Sequence, residues 1–434
     1  MSDTDKSETR IRRADDNLWF CLATLYGEEE AGSPVNYELR DKNRSAWNRW
    51  IAGALGDLQR AELLAKGFPE SELKPLSPDE KSAFYSAFAA RIGGLPPEPE
   101  HGVDFSHTHF NRKVVFDGFL FAPFLKARSA RFSGDADFAE ATFVGKADFE
   151  DATFSDFADF DGATFFDFAD FSGATFSTST IFESTTFSDN AYFVGATFAN
   201  YVSFSAATFS GQTTFCEATF SYRVSFIDAK WAAITTFENA DFKEFVPDFR
   251  GATMHEATEW HGVSWPKPPR SKVDAQTQIY AYERLRLEME RLKKHDDEQT
   301  FFRKELRARR RLFPILSANW LLNAIYQALS DYGNSFSRPL LWLGGVFAAG
   351  IAIFTQVPLC AGQPMPFKLA ARLSFANIFI FLNDKRELIA RPDMTACLSD
   401  TTAAVSAAQS VSGVVLLFLL ILALRNRFRM RGSS

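Results

Sequence analysis

The sequence is poor in the residues from which sites of chemistry are usually built. Six histidines and four cysteines are spread over 434 residues, and no Cys-x-x-Cys, phosphate-binding loop or nucleophile elbow occurs. His107 and His109 stand together in "HTHF", but no third and fourth ligand accompanies them, so no metal is expected there. In "HEATEWH" (255–261) the second His comes six residues after the first, not the four that place both on one helix face. With no convergent set of catalytic groups, the expectation is a protein that is not an enzyme and uses no cofactor. The N-terminus, "MSDTDKSETRIRRADD", lacks the apolar core of a signal peptide, and the front of the chain is expected to stay in the cytoplasm.

Phenylalanine, by contrast, is abundant and regular. Phe132, Phe138, Phe143, Phe149, Phe154, Phe160, Phe165, Phe171, Phe176, Phe182, Phe187, Phe193, Phe198, Phe204, Phe209, Phe215, Phe220 and Phe226 alternate in steps of six and five, a true period of eleven. Phe105, Phe110, Phe116 and Phe121 precede them in phase, with Ala127 where one Phe is missing. Trp231, Phe237 and Phe242 follow, Phe249 slips by one residue, and Met254, Trp260 and Trp265 end the series. Neither a helix nor a flat strand buries such a series on one side. A coil does, if the chain turns a corner between successive aromatics. Six-residue sides stack only if a turn is a multiple of eleven. Eleven is too flat for a core, thirty-three leaves a hole, and twenty-two gives four sides. Phe105 to Trp265 then predicts about seven turns, a rod on the order of 35 Å long.

Units such as "ADFED", "ATFSD", "ADFSG" and "ATFSG" resemble pentapeptide repeats over roughly 101–265. The resemblance implies a quadrilateral β-helix with a Phe core, here with a sixth residue inserted in alternate units. A disordered tract is not expected, because disordered segments are poor in aromatics and 31 of the 47 Phe lie in this region.

Net charge is −7, unevenly divided. Residues 1–100 carry 13 basic and 18 acidic side chains, 101–265 carry 10 and 23, and 266–434 carry 24 and 13. Different partners are therefore expected for the two halves. Residues 1–100 read as a helical region, with helices at 17–26, 44–65 and 78–92, that caps the first coil before the Pro-rich "LPPEPE". Residues 272–311 read as a helical hairpin adaptor, and 312–330 as an amphipathic helix at a membrane interface, with Asn319, Asn323 and Gln327 as its polar stripe and Trp320 and Tyr326 as anchors; were it to span instead, the topology of everything before it would invert.

Residues 339–434 read as a two-span membrane domain. The stretches 339–358 and about 405–424 are uncharged and long enough to cross a bilayer. Basic residues at 303–311 and 425–431 place both flanks, both termini and the solenoid in the cytoplasm and suit anionic lipid headgroups. Cys360 and Cys397 bracket the opposite-side loop, where either a disulfide or two free thiols fits. Gly345 with Ala349, and Ser406 with Ser410, carry the four-residue spacing of close helix packing, within one chain or between copies. Residues 367–382 form a loop helix that is either re-entrant, interfacial or part of an external cap.

The order of solenoid, hairpin, interfacial helix and two spans resembles a group of bacterial pentapeptide-repeat membrane proteins with a channel-like C-terminal domain. That resemblance implies the inner (plasma) membrane. The expectation is a homo-oligomeric scaffold whose acidic solenoid binds a protein partner or senses a signal. The alternative is an oligomeric channel-like pore lined near Ser374, Asn377, Asn383 and Asp384, without a potassium-type filter, because "NDKRELIARPD" follows Leu382. Some pentapeptide-repeat proteins resemble duplex DNA and inhibit topoisomerases, but membrane tethering argues against that role, and nucleic acid is not expected as a partner.

Overall fold

The computed structural model describes residues 11–29, 35–269, 271–356, 364–382 and 400–431. The chain divides into two compact units, Met1–Lys267 and Pro268–Ser434.

In the first unit, two-residue strands recur from Val103 to Phe242 and pair in parallel at one constant offset. Ala147 faces Ala169, Thr153 faces Thr175, Ala158 faces Thr180 and Thr164 faces Thr186, each 22 residues apart. Four parallel sheets result, of eight, seven, six and six strands. The strands make about six turns, not seven. Beyond Phe242 the offset becomes 23, with isolated bridges Ser225–Asp248, Lys230–Thr253, Thr236–Glu259 and Asp241–Ser264. The extra residue sets Pro247 opposite Val224, where its missing N–H cannot join the ladder.

Four columns of rings fill the coil, and the 18 Phe of the series from 132 to 226 are at most 1% exposed. Along a column the rings stack: Phe149 on Phe171 at 4.9 Å and 1°, Phe143 on Phe165 at 4.4 Å and 3°. Between columns they meet edge-on, as in Phe149–Phe160 at 87°. Both are favoured aromatic geometries. Where Ala127 leaves a gap, Phe105 turns to lie 24° from Phe116, a pairing that is edge-on in later coils.

The alternation of five and six reflects two kinds of corner. Most five-residue steps are tight turns closed by a hydrogen bond from the residue three after the core aromatic, usually Ala, as in Ala152 to Phe149 and Ala163 to Phe160. Its third residue lies in the left-handed region, and these residues recur every eleven: Asp151, Gly162, Gly173, Ser184, Gly195 and Ala206, with φ between 53° and 67°. That is the signature of a type II turn.

The N-terminal helices α1 (Leu18–Ala23), α2 (Tyr37–Ile51), α3 (Asp57–Ala65), α4 (Glu70–Leu73) and α5 (Pro78–Arg91) lie in the same unit. They satisfy the open edge of the first coil. Arg12–Arg13 adds a parallel strand beside Thr108–His109. The Trp47 indole donates to the Leu120 carbonyl (2.7 Å), the Asn48 side-chain oxygen accepts from the Leu120 N–H (2.7 Å), and the Asn48 amide donates to Gly118 O (3.0 Å).

The second unit is helical: α6 (Lys272–Arg291), α7 (His295–Arg309), α8 (Ala318–Ser330), α9 (Ser337–Phe354), α10 (Phe367–Ile378) and α11 (Asp400–Arg431). α6 and α7 form an antiparallel pair with Tyr282 and Phe301 stacked and Arg286 bound to Glu305 at 3.0 Å. α8 begins only at Ala318, where the Ser317 hydroxyl accepts from the Trp320 N–H. Ser337–Phe354 and Thr402–Phe428 are long and apolar enough to cross a membrane.

Candidate functional site

Two surfaces carry polar groups in organised numbers. The first is the outside of the solenoid. An Asp as second residue of a strand accepts the N–H two residues on: Asp148 from Glu150, Asp159 from Asp161, Asp170 from Ser172. These carboxylates therefore hold the corners as well as solubilise the rod, a role the sequence reading missed although Asp recurs just before the turn position.

Along one side Asp137 and Asp159 sit on neighbouring strands. Burial pushes the Asp137 carboxyl up, and Asp117 and Asp159 push it further. Asp159 is raised by burial, Asp161, Asp117 and Glu183, and Glu140 by burial, Asp161 and Asp117. Arg40 reaches Asp137 at 3.6 Å but is clamped by Glu29 at 2.7 and 2.8 Å. On another side Asp148, Glu150 and Asp170 hold carboxylate oxygens within 4.8 Å of one another. Arg128 binds Asp148 (3.2 Å) and Glu150, and Lys146 lies 3.5 Å from Asp148. That cluster is an ion-pair network. A cavity of about 370 Å³ opens beside the first coils, lined by Arg44, Lys66, Glu72, Asp117, Glu140 and Phe166. Lys66 Nζ stands 3.6 Å over the Phe166 ring, and Arg44 is held by Asp41 and Glu72.

The second surface belongs to the helical unit. α10 packs against both α9 and α11 in two apolar clusters, one around Phe354, Met365, Ala370 and Leu373, the other around Leu343, Ile378 and Leu416. Between them lies a buried polar cluster. Ser374 Oγ donates to Phe347 O (2.9 Å), and the Asn377 amide donates to Ser406 Oγ (3.2 Å) and Gln409 Oε1 (3.1 Å). The Gln409 amide donates to Val346 O (3.1 Å) and Ser374 Oγ (2.5 Å). Ser374 and Asn377 are fully buried, so in a single chain neither faces an open path. Asn383, Asp384, Cys360 and Cys397 lie outside the described residues.

The close approaches in this bundle are at Gly350, where a Cβ would stand 2.5 Å from Ser374 Oγ, and at Gly413, where it would stand 2.8 Å from Ile378 Cα. Gly345 and Ala349 face outward, with nothing within 4 Å of a Cβ built on Gly345. Ser410 is turned inward and donates to Ser406 O. In α8, Asn323 donates to Leu306 O and Gln327 accepts from Arg310, so two members of its polar stripe bond the α7 region, while Asn319 is exposed.

His109 shares a hydrogen bond with Ser133 and His107 occupies a left-handed corner, and neither joins a ligand cluster among the described residues. Cys21 is buried and Cys216 half-buried, both free thiols.

Against known families, the model described as Pentapeptide repeats (9 copies) matches residues 127–175, 160–208 and 182–229. No curated protein and no solved structure matches the chain. Repeat match, 22-residue register and buried Phe columns agree: the first unit carries a parallel β-solenoid of the pentapeptide-repeat kind.

Proposed function

We propose that this chain is a non-enzymatic, membrane-anchored interaction scaffold of the bacterial inner membrane, whose cytoplasmic acidic solenoid receives a protein partner. The observation that carries the reading is the carboxylate ladder of Asp137, Asp159, Asp161 and Glu183, where burial and neighbouring carboxylates push Asp137 and Asp159 upward. Such a surface stands to gain from an incoming cation, and a rigid parallel ladder presents its charges at fixed spacing. The partner is therefore a basic protein surface. α9 and α11 supply the anchor, and copies of the chain associate through the membrane region. The buried positions of Ser374 and Asn377 favour the scaffold over the pore.

The test uses the full-length chain in native membranes. D159N/D161N/E183Q keeps the Phe core and is expected to lose partners that cross-link to wild type. Capture of the same specific partners by the variant and wild type, with unchanged expression, would sink the reading.

A further inference from the structure

Around the α8–α9 turn, the chain gathers cations for which the described residues offer few carboxylates. Between 312 and 356 the only carboxylate is Asp331, already bound by Arg303 at 3.0 Å and Arg307 at 3.1 Å. Further guanidinium groups collect at the same level. Arg310 donates to the Gln327 side-chain oxygen (2.6 Å) and Arg338 to the Gln327 backbone oxygen (2.9 Å), so both converge on one residue. Arg427 lies 4.8 Å over the Phe336 ring, and the Asn426 amide donates to Gly333 O (3.0 Å), which fixes this end of α11 beside the turn. Arg425 is near enough to Tyr326 to oppose the upward push that burial gives its hydroxyl.

Arg338, Arg425 and Arg427 are exposed. Their level is where the apolar stretch of α9 begins and that of α11 ends. Next to it α8, whose Asn323 and Gln327 are engaged by the α7 region, leaves Leu322 65% and Ile325 50% exposed. A row of exposed guanidinium groups with no carboxylate partner among the described residues, beside an uncovered apolar helix face and at the end of two apolar spans, matches the chemistry of a phospholipid surface: phosphate outside, hydrocarbon beneath.

We propose that Arg338, Arg425 and Arg427 bind the phosphate groups of anionic phospholipids, with Leu322 and Ile325 of α8 in the adjoining acyl layer. The inference rests on α9 and α11 crossing a membrane. Arg303 and Arg307, which the sequence also suggests as headgroup ligands, are bound to Asp331.

The test reconstitutes the full-length chain in mixed micelles of equal phosphatidylglycerol and phosphatidylcholine and reads the retained lipid by native mass spectrometry. Wild type is expected to retain phosphatidylglycerol preferentially, and less so as salt rises. R338Q/R425Q/R427Q is expected to lose about tenfold or more of that preference, since each Arg near an anionic surface contributes about 1 kcal/mol. R338K/R425K/R427K keeps charge and fold and should retain most of it, and Arg250→Gln on the solenoid should change nothing. Equal retention of both lipids by wild type, or an unchanged preference in the Gln variant, would overturn the proposal. So would displacement of the lipid by millimolar inorganic phosphate, which would mark a site for a free anion. Complete release of the chain from membranes by carbonate would instead remove the membrane reading itself.

Discussion

Ala206 holds the same left-handed corner as Gly195 and Gly173, at φ 57° against 65° and 67°. A Cβ in that region costs about 1–2 kcal/mol, offset in part by the extra freedom glycine has when unfolded. Ala206→Gly is therefore expected to stabilise the solenoid by up to about 1 kcal/mol. Gly195→Ala should cost about as much, since nothing lies within 4 Å of its Cβ. Gly173→Ala should cost more, because its Cβ would crowd the Asp151 carboxylate, which would have to move. Urea midpoints followed by Trp fluorescence would rank the three, and a G173A midpoint above that of G195A would contradict the argument. The corner was only half legible in the sequence. Glycines at 162, 173 and 195 keep its phase, but Glu140, Ser184 and Ala206 hold the same conformation without announcing it. The ladder's hydrogen bonds impose the conformation there, against local preference.

At the scale of elements, α2 does for the first coil what a preceding coil would do. Asn48→Leu keeps the branched shape but leaves the Leu120 N–H and the Gly118 carbonyl without their partner, at about 1–3 kcal/mol for each buried group. The expected result is faster hydrogen exchange confined to residues near 103–121, and exchange unchanged there would argue that the helices merely rest on the edge. The helix faces of the second unit were less legible than the coil. Spacing singled out Gly345 and Ala349 for packing within one chain or between copies, and within one chain the close contacts fall at Gly350 and Gly413. Small residues four apart mark a face that can pack, and the rotation of both helices decides whether it does. The stripe of Asn323 and Gln327 shows the same limit: period identifies a polar face, but it bonds Leu306 and Arg310 where water was the simpler expectation.

Over the whole molecule, charge and period act together. The solenoid region carries 23 acidic and 10 basic side chains, and Asp137, Glu140 and Asp159 are raised above their ordinary values. Each takes up its proton more readily folded than unfolded, so stability falls as pH rises through the folded-state values and returns on acidification. Acidification towards the ordinary carboxylate range is expected to raise the solenoid's melting temperature, and Asp159→Asn to reproduce part of the gain at neutral pH. A flat profile in thermal scans would count against it. Asp331 behaves oppositely: burial raises it, but Arg303 and Arg307 outweigh burial and hold it low, so its clamp fails only in stronger acid, below the ordinary carboxylate range. The coil was legible down to the slip at Phe249, because an aromatic core repeats what it needs at every corner. The two-corner unit of eleven residues also makes the rod behave as a screw thread. Removing 22 residues withdraws one full revolution and leaves every remaining side in its place, whereas removing eleven preserves every buried contact type yet swings all later sides half a revolution, so that this chain's length and the direction its acidic ladder faces are set by a single count.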